Sequence, residues 1–217
     1  MDPVPLTIAC GPLAAYLLWL GLVNLRRRPV LMTGGTDAAL VALAVAGLAV
    51  VGPMNLFLPE AAGRRFGPYA WPLLGTLYIL CVVLYTQMAR PRLVIFNFNM
   101  ARVRTVLAEI VQRLDHEARV AGDAVQMPSI AVQFHLESSA AMRNVTLIST
   151  GDQQSHSGWK RLAAELSGAL AKESVDRNPR GFTLLAVGLV LLGWPLAQLM
   201  QMPSQMVAQQ LRDMLRI

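Results

Sequence analysis

The residues in this chain whose chemistry could be combined are His135, Glu137 and His156, with Asp152 near them in sequence. His135 and Glu137 lie in a stretch where Ile130, Val132, Phe134 and Leu136 alternate with Ala131, Gln133, His135 and Glu137. On a strand this period of two puts both side chains on the same, polar face. Two imidazoles and a carboxylate form a donor set that zinc accepts, so His135, Glu137 and His156 are the candidate metal ligands. The spacing is not that of a dedicated site, because the chain has no HExxH, no CxxC and no histidine pair at helical spacing. Solvated strand and turn residues are the competing reading and the preferred one, and no cofactor is expected.

Two other juxtapositions are weaker. Asp115-His116-Glu117 closes an amphipathic segment, where the negative end of a helix dipole favours an imidazolium. Ser155-His156-Ser157 puts hydroxyls beside an imidazole, but adjacent residues do not reach attack geometry and no orienting carboxylate accompanies them. The chain has neither GxxxxGK[ST] nor GxGxxG, the loops that cradle phosphates. No catalytic residue is expected, and the chain is expected not to be an enzyme.

The elements that would position these residues are legible between 91 and 180. Leu93–Phe96 reads as a buried strand, and Asn99 can cap the helix that follows. That helix carries Val103, Leu107, Ile110, Val111 and Leu114 on one stripe. Arg119–Ala121 and Ala124–Gln126 flank Gly122-Asp123 as a hairpin. Strands follow over 130–137 and 143–150. A polar turn, Gly151–Gly158, then leads to a second amphipathic helix, with Ser157 as its cap and Trp159, Leu162, Leu166 and Leu170 as its apolar stripe. The order is that of a small α+β domain with an antiparallel sheet and two helices.

This block is enclosed by four apolar runs, Val4–Leu25, Ala38–Pro59, Phe66–Ala89 and Gly181–Met200, none of which contains a Lys, Arg, His, Asp or Glu. Each run is close to the ~20 residues a helix needs to cross a bilayer. Of the 217 residues, 54% are hydrophobic and 15% charged, against about 25% charged in ordinary soluble domains. The mean hydropathy is +0.45. The net charge of +6 comes from basic residues at the ends of the runs, the pattern of membrane orientation and not of a nucleic-acid face. Cys10 and Cys81 both lie inside apolar runs and read as small buried hydrophobes.

Arg26-Arg27-Arg28, Arg90-Pro91-Arg92 and Arg177-Asn178-Pro179-Arg180 mark one side as cytoplasmic, with Arg64-Arg65 dissenting. Thr36 or Asp37 is expected to cap the second helix. Ala42, Ala46 and Ala49 are expected to form a close-approach stripe. Asn55 and Thr76 are the notable polar groups inside the runs.

The expected architecture is a multi-pass α-helical membrane protein with four transmembrane helices in a three-plus-one arrangement and an inserted α+β domain. Residues 1–90 form the three-helix region, 91–180 the cytoplasmic domain, 181–202 the fourth helix and 203–217 an amphipathic tail. The N-terminus is expected outside, in the cell membrane. The expected role is a non-catalytic scaffold, interaction or regulatory subunit. Its partners would be the lipid bilayer and another membrane protein or a further copy of itself, and not nucleic acid. The alternatives are a membrane-bound metal-dependent enzyme or sensor using His135, Glu137 and His156, and an auxiliary transporter subunit with a polar cavity near Asn55 or Thr76.

Overall fold

The structure, a computed structural model, describes residues 2–54, 69–139, 142–152 and 154–215. The expectations placed on Asn55, Arg64 and Arg65 lie outside the described residues. Among the described residues four helices are long and apolar enough to cross a membrane: α1 (Pro3–Leu25), α2 (Gly34–Ala49, continued by a π-helical turn over Val50–Met54), α3 (Ala70–Met88) and a helix over Arg180–Met200 that comes later in the chain. At 1.5 Å per residue, α1 measures about 35 Å and α3 about 28 Å, bracketing a hydrocarbon core of about 30 Å.

Between α3 and that fourth long helix the chain forms β2 (Arg92–Phe96), α4 (Met100–Leu114), β3 (Arg119–Ala121), β4 (Ala124–Met127), β5 (Val132–Ser139), β6 (Asn144–Ser149) and α5 (His156–Leu170). The fourth long helix is α6, and α7 (Ser204–Leu215) follows it. One further strand, β1 (Val30–Thr33), lies between α1 and α2.

The chain divides into two compact units. Met1–Leu20, Ala38–Gln87 and Thr183–Ile217 form a helical unit, and Gly21–Asp37 with Met88–Phe182 form an α+β unit. In the helical unit small residues set how closely the backbones approach. A Cβ on Gly47 of α2 would fall 2.0 Å from the Ile8 carbonyl oxygen of α1. The buried face of α2 therefore runs through Ala44 and Gly47, offset from the expected stripe at Ala42, Ala46 and Ala49, which are not fully buried. On α3, the Tyr78 hydroxyl donates to the Ala42 carbonyl at 2.6 Å. Leu73, Leu77, Ile79, Leu80 and Leu84 of the same helix are all more than half exposed.

The α+β unit is built the other way round. Its sheet is antiparallel, in the order β1-β2-β6-β5-β4-β3. Ile95 pairs with Val145, and Leu136 with Leu147, so alternate residues of neighbouring strands share a face. That face, with Phe134 and Met127, packs against Val103, Leu107 and Ile110 of α4 and Trp159, Leu162 and Leu166 of α5. Each such side chain, fully buried, contributes about 2 kcal/mol by removal from water. Asn99 caps α4 as expected, its side chain accepting from the Ala101 N–H at 3.1 Å.

Four local expectations change. The stretch 26–37, expected only to connect the first two apolar runs of the three-helix region, contains β1, which pairs with β2 in the register Val30 with Phe96 and Thr33 with Leu93. A four-residue strand between two long apolar helices has too few alternations to announce itself. The cap of α5 is Ser155 rather than Ser157, its hydroxyl accepting from the Gly158 N–H at 3.2 Å. Helix α2 starts at Gly34, ahead of Thr36 and Asp37, and the Thr33 hydroxyl accepts from the Thr36 N–H at 3.3 Å. Ile130 belongs to a 3-10 turn, Pro128–Ile130, and Ala131 takes a left-handed φ of 49° before β5 begins.

Candidate functional site

Strand β5 holds two of the three candidate ligands where alternation places them. His135 sits opposite Ile148 and Glu137 opposite Thr146, on the sheet face turned away from α4 and α5. His135 Nε2 lies 2.8 Å from Glu137 Oε1. The other ring nitrogen, Nδ1, is buried and has no hydrogen-bond partner among the described residues. His156 is elsewhere in the fold: it is the first residue of α5, directly after the Ser155 cap. Among the described residues no group of three or more His, Cys, Asp or Glu side chains could hold a metal ion. The structure thus joins His135 to Glu137 and does not bring His156 to them. A two-residue pair whose donors face each other offers less than the three or four protein ligands of a zinc site.

The polar turn before α5 is spent on structure. Its organiser is Gln154, which sequence reasoning did not single out. Its Nε2 donates to the carbonyls of Thr150 at 2.6 Å and Gln133 at 2.9 Å, and its Oε1 accepts from Trp159 Nε1 at 2.8 Å. The Ser155 N–H reaches the Ala131 carbonyl at 2.8 Å. These bonds nail the turn to the start of β5. Gly158 completes the joint, because a Cβ there would fall 2.3 Å from the Ile130 carbonyl oxygen. The tryptophan beside a glutamine five residues earlier was the available signal, since a buried indole N–H needs an acceptor.

Asp115 also has a structural task. It caps the end of α4, and its carboxylate accepts from the Glu117 N–H at 2.8 Å, the Ser129 N–H at 2.9 Å and the Ser129 hydroxyl at 2.7 Å. Burial pushes the carboxyl upward, but the bonds from Ser129 and Glu117, with His116 nearby, outweigh it and hold Asp115 below its ordinary value. Arg104 pairs with Asp123 at the β3–β4 turn, and Arg113 with Glu165 at 3.5 Å links α4 to α5. Thr76, considered for a polar cavity, donates instead to the Pro72 carbonyl of its own helix at 2.8 Å.

The remaining polar cluster gathers the ends of the unit. Asn178, just before α6, donates from Nδ2 to Asn24 Oδ1 at 3.0 Å, and its backbone N–H donates to the Asn24 carbonyl at 3.0 Å. Both residues are buried. Asn97, after β2, donates from Nδ2 to the Arg26 carbonyl at 2.9 Å. These contacts hold the end of α1, the end of β2 and the start of α6 together. No protein-family model matches the chain, and neither a curated protein nor a solved structure matches it.

Proposed function

We propose that the chain is an integral membrane protein whose four long helices anchor an α+β domain at the cytoplasmic face, where the domain serves as a non-catalytic interaction or regulatory module. The pairing of β1 with β2 is the observation that carries this reading. It makes the connector between α1 and α2 part of the same sheet as 92–149, so both belong on one side of a bilayer. Arg26–Arg28, Arg90, Arg92, Arg177 and Arg180 then share that side, which is the asymmetry the positive-inside rule associates with the cytoplasm. The exposed leucines of α2, α3 and α6 are accounted for by lipid, since water-soluble proteins rarely expose apolar patches of this extent.

Within the domain, the polar groups described above are committed to caps, turns and joints. What remains for a partner is the sheet face away from α4 and α5, which carries Gln126, Gln133, His135, Glu137 and Thr146. The test is a photocrosslinking residue at Gln126 in the full chain in native membranes, with a second at Glu109 on α4 as control. A discrete adduct from Gln126 and none from Glu109 is expected. A chain that yields no adduct from either position, and that runs as a monomer alone after extraction, would overturn the reading.

A further inference from the structure

The Arg26-Arg27-Arg28 triplet, used so far only for orientation, lines a cavity of about 620 Å³ together with Leu31 of β1 and Ser167 and Leu170 of α5. All of these residues belong to the α+β unit. The backbone of the triplet is fixed: the Arg26 carbonyl accepts from Asn97 Nδ2 at 2.9 Å and the Arg27 carbonyl from the Val175 N–H at 2.9 Å. The three arginines are exposed, and no carboxylate among the described residues forms an ion pair with them. The cavity therefore has one strongly cationic wall on a hydrogen-bonded frame and, from Val30, Leu31 and Ala171, apolar surface beside it. The carbonyl end of α5 also reaches this region, but its roughly half negative charge is small against three guanidiniums.

We infer that this cavity binds the phosphate of an anionic amphiphile, namely a phosphomonoester lipid of the inner leaflet. Guanidiniums bind phosphate oxygens through paired, charge-assisted hydrogen bonds, and Val30, Leu31 and Ala171 suit the glycerol and first methylenes. Arg26 follows the last residue of α1 directly, so the triplet lies at headgroup depth when α1 spans the bilayer. That depth rests on the membrane reading above. Basic pockets at the cytoplasmic ends of spanning helices recognise lipid headgroups on this principle.

The test uses the full chain in nanodiscs of phosphatidylcholine with a minority of phosphatidic acid, and counts the lipid retained by native mass spectrometry. One phosphatidic acid is expected to be kept in preference to phosphatidylcholine. Ser167→Glu sets a carboxylate into the cavity without altering the orienting arginines, and is expected to weaken retention by about tenfold. Ser157→Glu adds the same charge at the opposite end of α5 and should leave retention unchanged. Equal retention by the two variants, or no preference for phosphatidic acid, overturns the inference. Inorganic phosphate separates the sources: tight binding of it, sensitive to Ser167→Glu and without lipid preference, would make the ligand a soluble anion and overturn the lipid assignment. A chain that refuses to enter nanodiscs sinks the membrane reading instead. A water-soluble short-chain phosphatidic acid then decides the cavity, with binding lost in Ser167→Glu sustaining it and no binding overturning it.

Discussion

Leu80 on α3 and Leu166 on α5 are the same side chain on regular helices, yet Leu80 is 58% exposed and Leu166 is fully buried. The contrast extends to the units that hold them. In the helical unit many large apolar residues point outward, while small residues such as Gly47, Ala44 and Ala14 are buried. In the α+β unit large apolar residues fill the interior, and Arg, Glu, Gln and Ser occupy the outside of α4 and α5. The lesson is that helix propensity decides neither arrangement: α3 is apolar all round, whereas α4 carries its apolar residues on one stripe. The pattern around the helix selects the solvent.

The sharpest way to break this comparison is to put the same charge at both positions. Leu166→Asp leaves an unpaired carboxylate in a packed core and is expected to cost about 4 kcal/mol or more, enough to unfold the unit. Protease resistance and Trp159 fluorescence of the full chain in detergent would report it. Leu80→Asp is expected to cost about 3 kcal/mol of membrane insertion, read as the integrated fraction after translation into microsomes. An exposed site in water would tolerate that aspartate, so unchanged integration would remove the distinction between the units.

A pair of glycines on α5 sharpens the account of packing at smaller scale. Gly158→Ala must displace the Ile130 carbonyl or Val132, and is expected to destabilise by about 1–3 kcal/mol. Gly168→Ala meets nothing within 4 Å and is expected to stabilise by up to about 1 kcal/mol through helix propensity. Thermal melts of both variants check the opposite signs. The smallest effect is electrostatic. The Asp115 carboxyl is held below its unfolded value of about 3.9, so its contribution is complete above that pH and is lost as the pH falls through the lower folded value. Melting temperature in acid should fall more steeply for the natural protein than for Asp115→Asn, and parallel curves would show that the carboxylate is not the lock described here.

Long and strongly periodic elements were legible in the residues. The stripe Val103, Leu107, Ile110, Val111 and the stripe Trp159, Leu162, Leu166, Leu170 are buried as their spacing requires. The hairpin turns at Gly122, whose φ is +62°. What escaped notice depends on partners distant in sequence. Val30–Thr33 becomes a strand because β2 offers it an edge, and Gln154 becomes a joint because Gln133 and Trp159 lie within its reach. The cap moved from Ser157 to Ser155 because both hydroxyls are plausible by type and only the backbone path chooses. Of the candidate ligands, the strand period brought His135 and Glu137 together, whereas no local rule could locate His156 relative to them.

The sheet draws its first strand from a stretch translated well before the rest of it. Val30–Thr33 must wait while α2 and α3 are synthesised, and only then does β2 emerge to receive it. A fragment started at residue 91 would carry β2 with a bare outer edge and leave Asn178 without Asn24, inviting strand-to-strand aggregation. Recombinant versions of the domain should therefore graft 21–37 back onto the excised piece, and the ribosome's timetable becomes part of how this protein is built.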